Sequence, residues 1–268
     1  MKKIDFYINK YLENRPMFMA IIRGQEAMLF QKYMKLIKPA FVKTSAGKYK
    51  TLDFGCGEGF FAELVFGKDK IDVGLDIFSN NRIQEAIEKK IYKTVKLYDG
   101  VTIPYPDNYF NTVVSNCVLE HIPNIKLSLK EIYRTLRPGG FFITSVMADQ
   151  WENNLFGTKL FGKKYLKYMR KTQVHFNLFS NNKWQEYFKK AGFKIQSVDG
   201  YLFKKSAFYL DLFHYLSVGS LISYKLFNKW ILFNIPFFNR LKTYLIKKII
   251  VDENDPNKAS AVFFVLKK

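Results

Sequence analysis

Short apolar runs alternate with longer, partly polar segments through the middle of the chain. The runs at 50–55, 71–76, 94–98, 111–116 and 139–146 have the length and composition of short buried strands. Segments with helical spacing lie between most of them, at 60–66, 80–89 and 125–136. Repeated strand–helix units predict a parallel sheet with helices on both faces.

The second half of the chain adds two more strand signals. The stretch 184–201 gives a helix, a glycine stop and a strand, and 260–268 gives a final strand. After the helix at 125–136, the sequence Arg137-Pro138-Gly139-Gly140 predicts a helix stop with a turn. These elements predict an α/β fold.

Three segments do not follow the alternation. Residues 1–43 are mainly helical, 150–180 are basic and irregular, and 201–256 are rich in aromatic residues. In the first of these, five apolar residues fall on one helical face: Phe18, Ile22, Leu29, Tyr33 and Leu36.

A glycine-rich stretch, LDFGCGEG, follows the first predicted strand and precedes a helix. Glycines there permit a tight turn and let a ligand approach the main chain. The dinucleotide fingerprint is G-x-G-x-x-G, but here Phe60 stands in place of its third glycine. A phosphate-binding P-loop is absent. Asp76 closes the next strand, where a carboxylate can accept hydrogen bonds from both ribose hydroxyls. The loop therefore indicates a nucleoside-linked ligand rather than a pyrophosphate.

Five motifs occur in order: LDFGCGEG, GLDIF, LYDG, FNTVVSNCVLEHIPN and LRPGGFFIT. Together they resemble a class I S-adenosylmethionine-dependent methyltransferase, of the group that acts on small molecules, lipids and glycans. The resemblance is strong over 44–147 and weaker over 175–200 and 258–268. It implies a Rossmann-like, doubly wound, mostly parallel seven-stranded sheet, with a late antiparallel strand from 259–267. It also implies S-adenosylmethionine as cofactor and S-adenosylhomocysteine as product.

The resemblance also implies a set of cofactor-binding residues. The methionine part of the cofactor would be framed by Asp53, Gly55, Gly57 and Gly59, with Cys56 lining the loop. Asp76 would hold the ribose and Ile77 would pack on the adenine. Asp99, with Gly100, would meet the adenine amino group. Along the cofactor near the sulfonium would lie Asn116, Cys117 and Val118.

The candidate catalytic residues are two histidines. Methyl transfer needs a general base only where the acceptor is protonated, as in a hydroxyl or a carbon acid. His121 follows the fourth strand, and His175 precedes a helix near Ser180 and could face the acceptor. For each, a structural role is the alternative. His214 fits the surface of an amphipathic helix, and the spacing of the two cysteines indicates no metal site.

Glu26 is unusual because it lies on the apolar face of the N-terminal helix. A buried charge is costly unless it is paired or functional. Arg23 stands three residues away and can pair with it on the same helix. The alternative is that 1–43 forms a lid that offers polar groups to the acceptor or cofactor.

The chain is strongly basic, with a formal net charge of +20 over 268 residues. This indicates an anionic partner, or a lysine-rich composition with no partner. The stretch 201–250 has eight basic residues and one acidic residue. Two apolar stripes are predicted there, at Ile222, Leu226, Trp230 and Phe233 and at Phe238, Leu241, Leu245 and Ile249. Such stripes, flanked by Lys and Arg, suit docking on an anionic membrane. A helical cap and a dimer interface are the alternatives, and the oligomeric state is undefined.

Nucleic acid is the disfavoured anionic partner. The turn after the fourth strand reads Ser115-Asn116-Cys117-Val118, without the prolines of enzymes that methylate nucleic-acid amino groups. Cys117 follows Asn116 rather than proline, so it does not match the nucleophile of pyrimidine C5 enzymes. No separate RNA-binding module is visible.

We therefore expect a single methyltransferase domain, with a helical lid at 1–43, a core at 44–200 plus 258–268, and an insertion at 201–256. Its expected reaction moves a methyl group to a small or lipid-linked acceptor at a hydroxyl oxygen. The alternatives are C-methylation of a quinone-like ring and a non-catalytic, cofactor-binding, membrane-associated protein. No signal-peptide core and no long uncharged apolar stretch occur. We expect a cytoplasmic protein, or one peripheral on the inner face of the membrane.

Overall fold

A computed structural model describes residues 2–42, 49–68, 70–77, 81–250, 253 and 255–268. None of the helices in these residues is long and apolar enough to cross a bilayer. The chain groups into two compact units. The helical unit comprises Met1–Met28, Ala148–Val174 and Gly200–Val262, and the sheet unit comprises Leu29–Met147, His175–Asp199 and Phe263–Lys268. The expected lid, core and insertion boundaries stay predictions.

Seven strands form one sheet in the order β3-β2-β1-β4-β5-β7-β6. Their bounds are β1 Thr51–Phe54, β2 Ile71–Ile77, β3 Tyr92–Tyr98, β4 Phe110–Asn116, β5 Leu136–Met147, β6 Lys194–Tyr201 and β7 Ala261–Lys267. The first five are joined by parallel pairings. Because the strand order reverses beside β1, the carboxyl ends of β1 and β4 face the crevice where such sheets bind ligands.

The last strand runs against its neighbour. The Gly139 N–H donates to the Lys268 carbonyl (3.1 Å), and the Lys268 N–H donates to the Gly140 carbonyl (2.9 Å). Reciprocal bonds of this kind pair antiparallel strands. The predicted fold, a mostly parallel seven-stranded sheet with a late antiparallel strand, is therefore confirmed.

Twelve α-helices occur in the described residues. Their bounds are α1 Lys2–Asn14, α2 Met17–Val42, α3 Phe60–Phe66, α4 Asn81–Glu88, α5 Ile125–Thr135, α6 Gln150–Asn154, α7 Phe156–Phe161, α8 Lys163–Gln173, α9 Asn181–Lys190, α10 Lys204–Leu216, α11 Val218–Phe227 and α12 Pro236–Ile249, and a 3₁₀ turn covers Leu119–His121. In the sheet unit, aromatic side chains fill the core. Phe30 and Phe263 meet edge to face with ring centroids 4.8 Å apart.

The prediction that residues 150–180 are irregular is wrong for 150–173. Three short helices, α6 to α8, occupy that stretch. They bury Trp151, Tyr165 and Met169 and turn their lysines outward. The basic composition concealed this amphipathic pattern because each helix supplies few apolar residues.

The predicted turn at 137–140 is also wrong. Helix α5 ends at Thr135 as expected, but Leu136 already pairs with Phe110 in the sheet. A register shift between Phe110 and Thr112 absorbs the irregular start of β5, and Gly139 adopts a φ of 76° there. The proline and glycines thus shape a strand entry rather than a loop.

The apolar face predicted for the N-terminal helix is wrong at its end. Leu36 is 66% exposed, because Phe30, Met34 and Ile37 form the buried face of that part of α2. Leu29 and Tyr33 are buried as expected.

The face predicted from Ile222 to Phe233 is also wrong. Asn228 takes a left-handed conformation (φ 53°) and α11 ends at Phe227. Trp230 therefore lies beyond the end of the helix and is not on the predicted face. Its ring stacks on that of Tyr224, with centroids 4.4 Å apart. The second stripe is also shorter than predicted, because Ile249 is buried.

Glu26 lies fully buried in the helical unit. Its carboxylate pairs with the Arg23 guanidinium at 2.7 Å and accepts a hydrogen bond from the Tyr201 hydroxyl at 2.8 Å. These contacts confirm the paired interpretation, since both partners compensate the buried charge. The lid stays a prediction.

Candidate active site

The glycine loop joins β1 to α3 in a tight turn. Gly55, Gly57 and Gly59 all have positive φ (79°, 51° and 74°), a conformation that other residues rarely adopt. The N–H groups of Gly55 and Cys56 both donate to the Leu75 carbonyl, at 2.8 and 3.1 Å. The loop is therefore fixed over the end of β2.

The glycines meet different surroundings. A Cβ on Gly55 would overlap the Val118 side chain, and one on Gly59 would lie 2.8 Å from the Ile91 Cδ1. A Cβ on Gly57 would have nothing within 4 Å. Gly55 and Gly59 are thus required by packing, whereas Gly57 borders open space. That space fits the predicted approach of a cofactor to the main chain.

Asp76 links the loop to the end of β2. Its Oδ2 accepts the Gly57 N–H at 2.7 Å, and its Oδ1 accepts the Ile77 N–H at 2.8 Å. Ile77 is 56% exposed, and a Cβ on Gly100 would lie 3.4 Å from its Cγ2. The structure therefore brings together three of the four residues expected around the ribose and adenine, namely Asp76, Ile77 and Gly100.

Asp99 follows β3 at the same edge of the sheet. Its Oδ1 accepts the N–H groups of Val101 and Thr102, at 2.8 and 2.9 Å. These bonds favour the charged form and lower the pKa of Asp99. An ionised carboxylate in a fixed orientation can accept a hydrogen bond from an amino group.

Asp53 is buried, and the Tyr92 hydroxyl donates to its Oδ2 at 2.7 Å. Burial raises the pKa of Asp53 to about 7, the charge of Asp76 adds to the rise, and the Tyr92 bond opposes it. Burial also raises the pKa of the Cys56 thiol, with the charges of Asp53 and Asp76 adding to the rise. Cys56 therefore lines the loop as a neutral thiol.

Sequence reasoning missed Tyr92. The signal for it was Gly74, a glycine inside the apolar strand β2. A Cβ there would lie 2.8 Å from the Tyr92 Cδ2, so only glycine leaves room for the ring. A glycine in a strand interior often marks such a close approach.

The turn after β4 carries the other predicted cofactor residues. Cys117 has a φ of 52°, and its N–H donates to the Ser145 carbonyl (3.0 Å) and to its Oγ (3.1 Å). The Ser145 hydroxyl donates in turn to the Asn116 Oδ1 at 2.6 Å. With Val118 against Gly55, this turn lies at the same edge as the loop. Ser145 gave no sequence signal because it is brought in by the sheet.

His121 and His175 lie together in the sheet unit, with ring centroids 4.8 Å apart. Glu120, fully buried, places a carboxylate oxygen within 4.8 Å of a ring nitrogen of each. The Met147 N–H donates to its Oε1 at 3.2 Å. The Phe176 N–H donates to its carbonyl at 2.8 Å and brings in the segment that carries His175.

This arrangement can orient an imidazole as a proton acceptor. Sequence reasoning missed Glu120. The donor types also match a metal site, and the predicted absence of a metal stays a prediction. His214 is exposed on α10 of the helical unit, as expected, and its ring meets Phe18 edge to face at 4.8 Å.

An open parallel sheet with a glycine loop, followed by a carboxylate at the end of the next strand, defines a nucleoside-cofactor enzyme of the methyltransferase class. Residues 25–198 match the family model described as a methyltransferase domain. The chain therefore belongs to the methyltransferase family and is an enzyme that uses S-adenosylmethionine as methyl donor.

Curated relatives cover most of the chain. The demethylmenaquinone methyltransferase of Geobacillus sp. (strain WCH70) is 28% identical over 218 residues, which are 70% of this chain and 89% of the relative. A chloroplastic 2-methyl-6-phytyl-1,4-hydroquinone methyltransferase of Oryza sativa subsp. japonica is 29% identical over 161 residues, 55% of this chain and 39% of the relative.

Solved structures share the fold. A protein described as a putative sarcosine dimethylglycine methyltransferase from Galdieria sulphuraria has a TM-score of 0.56 at 17% identity, covering 91% of this chain and 88% of its own. A methyltransferase from Thermotoga maritima, described as a possible histamine N-methyltransferase, has a TM-score of 0.52 at 18% identity, covering 94% and 99%.

Proposed function

We propose that this methyltransferase acts on a small lipid-soluble or lipid-linked acceptor, at a hydroxyl oxygen, and meets it at an anionic membrane surface. The observation that carries the proposal is in the helical unit. Two of its helices, α11 and α12, turn most of their large apolar side chains toward solvent.

Helix α12 has an inverted pattern. Asn239 and Thr243 are buried beside Ile246 and Ile249, and the Thr243 hydroxyl donates to the Asn9 Oδ1 of α1 at 2.9 Å. The exposed side carries five large apolar residues, Phe237, Phe238, Leu241, Tyr244 and Leu245. Water-facing helices normally show the opposite distribution.

Helix α11 and the segment after it repeat the inversion. Of the α11 residues, all of which the structure describes, Ser223 alone is buried. Phe233, in the following segment, is 82% exposed. The other large apolar residues exposed on this stretch are Val218, Leu221, Ile222, Leu226, Phe227, Leu232 and Ile235. We call the exposed apolar side chains of 218–245, together with the basic side chains of the same stretch, the docking surface. An exposed apolar surface of this extent marks an interaction site.

Charge favours an anionic bilayer as the partner. Lys225, Lys229, Arg240 and Lys242 lie in the same stretch, and 218–245 contains no acidic residue. Each basic residue near an anionic surface adds about 1 kcal/mol of attraction. A second copy of the chain would bring the same positive charges against each other, so a dimer through this surface is disfavoured.

The relatives support a lipid-soluble acceptor. By their names, one of the two curated relatives acts on demethylmenaquinone and the other on a phytyl hydroquinone. Apolar acceptors of this kind partition into membranes, where a docked enzyme would meet them.

The histidine pair supports a hydroxyl acceptor. Bound S-adenosylmethionine supplies a methyl group with a neutral leaving group, so the protein mainly aligns the two reactants. A hydroxyl must lose its proton as it attacks, and His175 would accept it. His121 and Glu120 would orient the imidazole. The cofactor itself would be held by Asp53, the glycine loop, Asp76, Asp99 and the turn at 116–118.

A methyl-label transfer assay tests the acceptor class. Labelled S-adenosylmethionine and the enzyme are incubated with fractionated lipid, glycan and RNA extracts. We expect label in the lipid fraction, and loss of at least about tenfold in rate for His175→Gln. Label confined to the glycan or RNA fraction would contradict the proposal. Label that survives cleavage of methyl ethers by hydriodic acid would lie on a carbon, and the acceptor atom would then be a ring carbon of a quinone-type lipid instead of a hydroxyl oxygen.

Vesicle co-sedimentation tests the docking surface. We expect binding to anionic vesicles at low salt, and a loss of about tenfold for the double variant Phe237→Ser, Phe238→Ser. The double variant Leu160→Ser, Phe161→Ser is the matched control, because Leu160 and Phe161 are adjacent residues of α7 that are 60% and 61% exposed and lie outside the docking surface. Equal effects of the two changes would refute a specific surface.

A further inference from the structure

The helical unit contains a cavity of about 450 Å³ that the methyl-transfer site does not use. Three lysines and three aromatic rings line it: Lys159, Lys204, Lys205, Phe203, Phe208 and Tyr209. We propose that this cavity binds the phosphomonoester headgroup of a membrane lipid. The inference rests on the proposed membrane docking for delivery of that headgroup.

The charges of the cavity match a phosphomonoester. Lys159, Lys204 and Lys205 face one acidic residue, Glu253, so the formal charge of the lining is +2. A phosphomonoester carries about −1.5 to −2 at neutral pH, whereas a phosphodiester carries about −1. Lysine ammonium groups bind phosphate as point charges with several rotatable donors. The monoester therefore neutralises the lining more completely than the diester does.

The aromatic lining explains why the ligand is a lipid and not free phosphate. Phe203 is buried, and Phe208 and Tyr209 are partly buried. The Lys159 ammonium lies 5.0 Å from the centroid of the Phe208 ring, so charge and apolar surface adjoin. A single phosphate would fill only a small part of the cavity, and the apolar remainder suits the glycerol or first chain carbons of a lipid.

The cavity is tied to the helix that carries the docking surface. The Lys205 ammonium donates to the Lys248 carbonyl near the end of α12, at 2.8 Å. This bond fixes one edge of the cavity to α12 and still leaves Lys205 two further donors. A helix lying on the bilayer would thus bring the cavity to headgroup level.

The test compares vesicles of equal surface charge that contain either phosphatidic acid, a phosphomonoester, or phosphatidylglycerol, a phosphodiester. We expect wild-type protein to bind the phosphatidic acid vesicles about tenfold more tightly. The double variant Lys159→Gln, Lys204→Gln should lose this preference. The control Lys225→Gln, Lys229→Gln removes the same charge from the docking surface, so it should weaken binding to both vesicles and keep the ratio. All four lysines are exposed, so both variants should fold, which thermal unfolding checks.

Two outcomes separate this proposal from the docking proposal. If vesicles do not bind, calorimetric titration with a soluble short-chain phosphatidic acid still tests the cavity, and loss of binding in Lys159→Gln, Lys204→Gln upholds it. Equal affinity for inorganic phosphate and the short-chain lipid would overturn a lipid site. Unchanged vesicle preference in Lys159→Gln, Lys204→Gln would overturn it as well.

Discussion

Asp53→Asn should stabilise the protein at neutral pH while weakening cofactor binding. Asp53 is buried against Tyr92, and burial raises its pKa from 3.8 to about 7. An asparagine keeps an oxygen that can accept the Tyr92 hydroxyl, but it never needs to ionise. The substitution therefore removes the cost of a buried charge and preserves the hydrogen bond.

The direction of the change in stability with pH follows from the proton that Asp53 binds. Between pH about 4 and about 7 the folded protein holds a proton on Asp53 that the unfolded chain has released, so stability falls as pH rises through this window. At about 1.4 kcal/mol per unit, a shift of about 3 units corresponds to about 4 kcal/mol over the whole window. Between pH 5 and 8 the loss is about 3 kcal/mol.

Urea unfolding at pH about 5 and about 8 measures this difference. Between the two conditions, we expect the free energy of unfolding to fall by about 3 kcal/mol more for the wild-type protein than for Asp53→Asn. Asp72→Asn is the control, because Asp72 lies in β2 next to β1 and pairs with Lys93 at 2.7 Å. This substitution should leave the pH dependence assigned to Asp53 in place.

The cofactor supplies the second measurement. If the ionised Asp53 faces the ammonium group of the methionine part, affinity for S-adenosylmethionine should rise with pH through about 7. Asp53→Asn should lose this rise and bind at least about tenfold more weakly at pH about 8. Identical pH slopes of stability for wild type and Asp53→Asn would refute the reasoning, since Asp53 would then titrate alike in both states.

Four further predictions concern the glycine loop and Asp76, which bonds to it. Gly55→Ala should cost about 3 kcal/mol of stability, from left-handed strain and overlap with Val118, as measured by thermal unfolding. Gly57→Ala should cost only about 1 kcal/mol and still weaken cofactor binding at least about tenfold in calorimetry, because its Cβ enters open space; unchanged affinity would place the cofactor elsewhere. Asp76→Ala should lower that affinity by about tenfold or more, and unchanged affinity would disprove the site. Cys56 should resist thiol reagents at pH about 8 until urea unfolds the protein, and rapid labelling of the folded protein would contradict its raised pKa.

The cofactor half of the protein was predictable from the sequence because local rules determine it. Helix α3 begins and ends at the predicted residues, since the glycine loop precedes it and Gly67 follows it. The spacing of the glycines and Asp76 along the chain is enough to predict the cofactor site. Tyr92, Ser145 and Glu120 were missed because each reaches the site from another strand or turn, and only the assembled sheet brings them there.

The helical unit was harder to predict because its patterns mislead. A helix stripe is normally assigned to the core, but in α12 the stripe of Phe238, Leu241 and Leu245 is exposed, and the buried face consists of Asn239, Thr243, Ile246 and Ile249. The period of the apolar residues predicted the helix correctly, but it does not determine which side of the helix faces solvent. The break at Asn228 had a local signal that sequence reasoning missed, because asparagine often adopts the left-handed conformation that ends a helix.

The net charge of +20 alone would suit RNA as well as a membrane. The composition of the docking surface separates the two. Its four basic residues contribute about 4 kcal/mol near an anionic surface, a gain that either partner could supply. Fully burying one leucine or phenylalanine contributes about 2 kcal/mol. Phe233, Phe237 and Leu226 are 82%, 71% and 70% exposed, so burying their exposed parts contributes about 4 to 5 kcal/mol, which matches the charges. A phosphate backbone cannot bury aliphatic side chains, whereas an acyl chain can. Burial of the apolar side chains therefore favours a membrane over RNA as the partner. The basic residues in turn favour an anionic membrane over a neutral one.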